Sequence, residues 1–109
     1  MFEIRHYIDS KGKDPFDDWL TGLRDSRAQA KIATRIDRLA LGNFGDHKSL
    51  GGSLFELRVD WGPGYRVYYA VAGKASLLLL CGGDKRKQTA DIAAARRYLN
   101  DYKKRSTAI

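Results

Sequence analysis

The sequence predicts an α+β domain of order βααβββα, an antiparallel sheet with its helices packed on one face. Three observations predict it. The first 45 residues hold one alternating segment and then two stretches of helical periodicity. Residues 54–61 and 65–71 alternate with period two around short glycine-containing turns, an apolar run follows over 76–81, and a last helical stripe follows residue 88. The length of 109 residues predicts one domain, 1–109. A hydrophobic share of 43% argues against a disordered chain. At this size roughly 65% of the unfolded surface can be buried, enough for a core without metal or disulfide staples.

The elements follow in order. Phe2, Ile4, His6 and Ile8 alternate with Glu3, Arg5 and Tyr7, which predicts a strand with His6 partly buried. Lys11-Gly12-Lys13 breaks it. Asp14-Pro15 then reads as a helix start: Asp14 caps, Pro15 suits the first turn, and Asp17 and Asp18 complement the helix dipole. Phe16, Trp19, Leu20 and Leu23 form its apolar stripe. A second helix is expected over residues 26–41, because Ala28, Ile32, Ile36 and Leu39 share one face and Gly42 supplies a stop. Asp46, His47 and Lys48 read as a polar loop. Strands over 54–61 and 65–71 flank the turn Gly62-Pro63-Gly64, and Ala72-Gly73-Lys74 makes the next turn. Residues 76–81 are largely apolar and read as a central strand covered on both faces, ended by Gly82-Gly83-Asp84. The last helix, about residues 89–102, buries Ile92, Ala95, Leu99 and Tyr102.

The net charge is +7, and it is unevenly placed. Residues 24–48 hold six basic and three acidic side chains; residues 84–109 hold eight and three. A polyanion such as RNA or DNA is the partner this implies, the alternative being a basic protein with no specific ligand. The longest strictly apolar run, Leu77 to Cys81, is too short to span a membrane. The N-terminus shows no secretory h-region, so a cytoplasmic protein without a membrane partner is expected. Cys81 is the only cysteine, which excludes an intramolecular disulfide and a multi-cysteine zinc site. His6 and His47 have no metal-ligand spacing, so neither metal nor cofactor is expected. Cys81 is read as packing.

Parity locates the chemistry. Strands 54–61 and 65–71 are antiparallel across a short turn, so facing residues share a constant index sum. Placing both apolar sets on one face requires an even sum, which gathers Glu56, Arg58, Asp60, Arg66 and Tyr68 on the other. Two arginines, a carboxylate and a phenol form a candidate phosphate site, because guanidinium donors match phosphate oxygens. The alternative is a solvated face of cross-strand ion pairs. After the central strand, Gly82 and Gly83 permit close backbone approach to a ligand, and Lys85, Arg86 and Lys87 add positive field. A simple strand-to-helix turn with exposed charges reads equally well.

The runs Lys48-Ser49-Leu50-Gly51-Gly52-Ser53-Leu54-Phe55-Glu56-Leu57-Arg58-Val59, Gly64-Tyr65-Arg66-Val67-Tyr68-Tyr69 and Leu80-Cys81-Gly82-Gly83-Asp84-Lys85 resemble the RelE/ParE toxin superfamily. The chain is most similar to the phage Gp49-like, HigB-type branch of addiction-module killer proteins, over nearly its whole length. That resemblance implies a RelE-like fold and a toxin of a type II toxin–antitoxin pair. RelE and HigB members are mRNA interferases that cut mRNA on the ribosome without metal; ParE members poison DNA gyrase. The implied partners are mRNA on the ribosome and a cognate antitoxin, a helix-turn-helix DNA-binding protein in the HigB arrangement. Arg58 and Arg66 match basic positions near the scissile phosphate, and Lys85 and Arg86 match the basic segment after the last strand. Glu56 falls where some members carry a catalytic lysine, and the tyrosine some carry after this segment is missing, the nearest being Tyr98.

Such cleavage proceeds by attack of a ribose 2′-oxygen on the adjacent phosphorus. It needs a base, an acid and charge stabilisation. Arg58 and Arg66 suit the last role, Glu56 is the candidate base, and Lys85 or Tyr68 the candidate acid. Lys48, Tyr68, Arg86 and Lys87 are the candidate substrate contacts. A gyrase-binding toxin without catalytic residues and a plain nucleic-acid-binding module remain the other readings.

Overall fold

The computed structural model describes residues 1–107, running β1 (Glu3–His6), α1 (Pro15–Gly22), α2 (Ser26–Ala40), β2 (His47–Gly51), β3 (Leu54–Val59), β4 (Tyr65–Ala72), β5 (Ser76–Asp84), a 3-10 turn (Lys85–Lys87) and α3 (Gln88–Thr107). The strands form one sheet in the order β1-β5-β4-β3-β2. Both early helices start on aspartate caps. The Asp14 carboxylate accepts from the Asp17 N–H, and Asp25 from the N–H groups of Arg27 and Ala28.

The α+β class stands, with three helices packed on a five-stranded sheet. The helices divide between its faces rather than sharing one. On one side Phe16 of α1 and Ala28, Ile32 and Leu39 of α2 pack with Leu57, Val59, Val67, Tyr69 and Leu79. On the other, Ala95 and Leu99 of α3 pack with Leu54, Tyr68, Ala70, Leu78 and Leu80. The reason lies in β5, which is apolar on both faces, so each face needs a cover; burying one such side chain contributes about 1.5–3 kcal/mol.

The sheet is also not wholly antiparallel. β1 lies parallel to β5, with Ile4 beside Leu77 and His6 beside Leu79. His47 and Lys48, expected in a loop, open the edge strand β2, which pairs with β3. The strand faces are as expected, Phe2 and Ile4 toward α1 and α2 and Tyr7 away from them, but Tyr7 is buried because α3 covers its side, and His6 is exposed. Tyr7 donates to Asp101 Oδ2 at 2.6 Å and stacks on Tyr98, whereas His6 Nδ1 lies 2.7 Å from Asp14 Oδ2.

β5 continues through the two glycines to Asp84 instead of ending at them. A Cβ on Gly82 would collide with the Trp19 ring, and one on Gly83 with the Asp91 carboxylate. These glycines therefore admit side chains of α1 and α3, one on each face of the sheet, and not a ligand. An irregularity between Tyr68 and Tyr69 shifts the β4–β5 register, so Leu80 and Cys81 both join the core beneath α3.

Candidate phosphate-binding cleft

The β3–β4 register has the even sum the alternation requires: Glu56 faces Tyr68, and Arg58 faces Arg66. All four side chains therefore share the face that α3 covers in part. The covering is what the alternation could not reveal. Glu56 and Tyr68 are fully buried, so this is not a solvated face.

Glu56 is the centre of the arrangement. It receives Arg58 Nε at 3.1 Å, the Tyr68 hydroxyl at 3.1 Å and Gln88 Nε2 at 2.8 Å. Arg66 Nε stands 3.7 Å from the same carboxylate, close enough for an ion pair but beyond a hydrogen bond. Burial pushes the carboxyl up, but the hydrogen bonds from Arg58, Gln88 and Tyr68 and the charge of Arg66 outweigh it and hold the group below the usual carboxylate range. Burial and then the Glu56 charge push the Tyr68 phenol far up, so it stays protonated as Glu56's donor. The expected roles of Glu56 as a base and of Tyr68 as an acid or substrate contact do not fit this geometry. Neither side chain reaches solvent; the Tyr68 hydroxyl is spent on Glu56, and the Glu56 carboxylate on Tyr68, Arg58 and Gln88.

In front of Glu56 lies a cleft of about 350 Å³ lined by Arg58, Arg66, Lys85, Asp46, Asp60 and the Gly62-Pro63-Gly64 turn. Because Glu56 faces Nε of both guanidinium groups, their terminal nitrogens are the donors left for a ligand; one, Arg66 Nη1, also reaches the Tyr65 carbonyl at 3.3 Å. The Lys85 N–H bonds the Gly64 carbonyl at 2.9 Å, which fixes Lys85 beside the turn. The Arg58 strand end is tied from two sides: its N–H bonds the Asp46 carbonyl at 2.9 Å, and its carbonyl accepts from Arg35 Nη1 at 2.8 Å. Three cations thus converge on one opening beside the Asp46 and Asp60 carboxylates, and the free guanidinium nitrogens have the geometry that matches phosphate oxygens.

Other expected contacts lie elsewhere. Arg86 is exposed and bonds the Asp84 carboxylate at 2.9 Å, outside the cleft lining. Lys87 is exposed in the same turn and Lys48 on β2, where it faces Glu56 across the strand pair; neither lines the cleft. Gln88, Arg35 and Asp46 carry no sequence signal, since each acts through a fold-made contact. Cys81 is buried, its thiol pushed up to about 12 by burial, consistent with packing. Among the described residues no three His, Cys, Asp or Glu side chains gather as a metal set, and no helix is long and apolar enough to cross a membrane.

Fold and cleft define a class: a small basic α+β module with two guanidinium groups and a lysine clustered at one opening. Residues 18–103 match the family of phage derived protein Gp49-like (DUF891), and the chain belongs to that family, a toxin-like family of toxin–antitoxin modules. It is also similar to an uncharacterized protein of Haemophilus influenzae (strain ATCC 51907 / DSM 11121 / KW20 / Rd), 53% identical over 81 residues, which are 74% of this chain and 82% of that protein.

Proposed function

We propose that this chain is the toxin of a type II toxin–antitoxin pair and acts as a metal-independent endoribonuclease on ribosome-bound mRNA. One observation carries the reading: Arg58 and Arg66 face each other across β3 and β4, are held from behind by buried Glu56, and open with Lys85 onto one cleft. A surface that only blocks a protein partner does not need a buried carboxylate to aim two guanidinium groups at one point. A pentacoordinate phosphorus transition state does, because charge builds on its oxygens.

In this reading the 2′-oxygen attacks the adjacent phosphorus, the 5′-oxygen leaves, and a cyclic phosphate and a 5′-hydroxyl result. Arg58 and Arg66 stabilise the phosphorane. Lys85 donates the proton to the leaving oxygen. With Glu56 removed from the base role, Asp46 and Asp60 are the carboxylates lining the same cleft, and one of them takes the 2′-proton. The ribosome supplies in-line alignment of the RNA. A helix-turn-helix antitoxin neutralises the toxin by covering the basic face with an acidic or helical segment.

The test is to map RNA 5′ ends after brief expression and, with purified protein, to offer free mRNA, programmed ribosomes, and gyrase with supercoiled plasmid. New 5′-hydroxyl ends on translated messages are expected, and Arg66→Ala should lower cleavage on the order of 10²–10³-fold while the protein stays folded. Intact messages together with trapped gyrase–DNA complexes would overturn the nuclease reading.

A further inference from the structure

A second basic groove of about 390 Å³ runs along α2, lined by Lys31, Thr34, Arg35 and Arg38 on the helix side and by Asp60 on the sheet side. Positions 31, 34, 35 and 38 fall on one helix face, so their side chains form one row. Lys31 and Arg38 are exposed. The Lys31 ammonium stands 4.4 Å over the Trp61 ring, whose indole N–H is 3.3 Å from Asp25 Oδ2. That stacking holds Lys31 against the β3–β4 turn. Arg35 is committed to the Arg58 carbonyl and closes the end of the groove.

This groove and the phosphate cleft meet at the end of β3. Asp60 lines both, and Arg35 of one holds the strand residue that supplies Arg58 to the other. We infer that the α2 groove is a second subsite for single-stranded RNA, in which Lys31 and Arg38 bind backbone phosphates of the strand whose scissile phosphate occupies the Arg58–Arg66 cleft. The inference rests on the nuclease reading and adds where the rest of the strand lies. A linear polyanion matches the arrangement because cations stand in both compartments, while Asp60 at their junction and Asp46 within the Arg58–Arg66 cleft deter an anion only locally. Thr34 offers a further hydroxyl donor. The floor of Ala30 and Val59 is small, which suits a sugar–phosphate backbone better than a protein partner, whose docking needs a larger apolar centre. An apolar cleft lies elsewhere, between Phe2, Phe44, Phe55 and Val71.

The probe is a labelled single-stranded 2′-O-methyl oligoribonucleotide long enough to pass both compartments, uncleavable because its 2′-oxygen is capped. Binding is followed by anisotropy over a salt series. Lys31→Ala/Arg38→Ala should weaken binding and lower the slope of log K against log salt by about 1.4, near 0.7 for each lost phosphate contact. Lys11→Ala/Lys74→Ala removes the same charge from exposed turns outside either groove and should leave the slope unchanged. Circular dichroism and thermal melting confirm that both variants fold. Equal losses in the two variants would mean net charge alone, and overturn the subsite. Unchanged RNA affinity with lost antitoxin binding would assign the groove to a protein and overturn it as well. If cleavage is intact but the groove variant binds like wild type, only the subsite fails; if wild type neither binds nor cleaves RNA, the nuclease reading fails with it.

Discussion

Glu56 shows how one buried charge can be worth keeping. An isolated buried carboxylate would cost several kcal/mol, but here Arg58, Tyr68 and Gln88 donate to it and Arg66 adds charge. The converse follows for mutation. Glu56→Gln leaves two partly buried guanidinium groups without their counter-charge and should destabilise the fold by about 3–5 kcal/mol. Tyr68→Phe removes a single hydrogen bond to a charged acceptor and should cost about 1.5–3 kcal/mol. Urea unfolding of both variants checks the order. A Tyr68→Phe variant as unstable as Glu56→Gln would mean that the Tyr68 hydroxyl, and not the guanidinium counter-charge, accounts for most of what Glu56 contributes.

At the scale of elements, alternation in 54–61 and 65–71 sufficed to put Arg58 and Arg66 on one face, because that follows from an even index sum; that they stand directly opposite is set by the register, which parity leaves open. It could not show that Glu56 and Tyr68 lie buried on the α3 side, since period two says which residues share a face and not what lies over it. The α3 stripe of Ala95 and Leu99 was equally readable, but a stripe does not name the sheet face it seeks. β2 escaped because its residues His47–Gly51 are polar and mostly exposed, as an edge strand allows. The glycine pair misled: Gly82 serves helix packing. Gly82→Ala places a methyl group inside the Trp19 ring and should cost about 1–3 kcal/mol by forcing α1 off the sheet. In a double-mutant cycle Trp19→Ala should recover part of that loss, because the clash disappears with the ring. Strict additivity of the two changes would remove Trp19 from the account.

For the molecule as a whole, charge sets the range of pH in which the fold holds. Among the described residues four carboxyls lie below their ordinary values in the folded chain. The Lys13 N–H lowers Asp9, the Trp61 indole lowers Asp25, and Arg86 lowers Asp84; at Glu56 hydrogen bonds and Arg66 overcome burial. A depressed folded pKa adds stability above the unfolded values of 3.8 and 4.5, and that stability is lost as pH falls through the folded value. Asp91 works the other way, raised by burial, but it is one group against four. Protonation also adds positive charge to a chain already at +7, so self-repulsion grows in the same direction. At the alkaline end burial raises Tyr7 and Tyr69 from 10.0, and Cys81 from 9.0, each to about 12. Their contribution is complete below the unfolded values and is lost as pH rises toward the folded ones. The melting temperature should therefore be level between about pH 5 and 9 and fall on both sides. Of the four depressed carboxyls only Glu56 is fully buried, so most of the acid limb should belong to it, the others being screened by water. Scanning calorimetry across the acid limb is the measurement. Wild type should lose stability steeply below pH 4.5, the unfolded glutamate value, whereas Glu56→Gln, less stable at neutral pH, should show a flatter limb. Parallel limbs in the two proteins would place the acid sensitivity in Asp9, Asp25 and Asp84 and in repulsion instead.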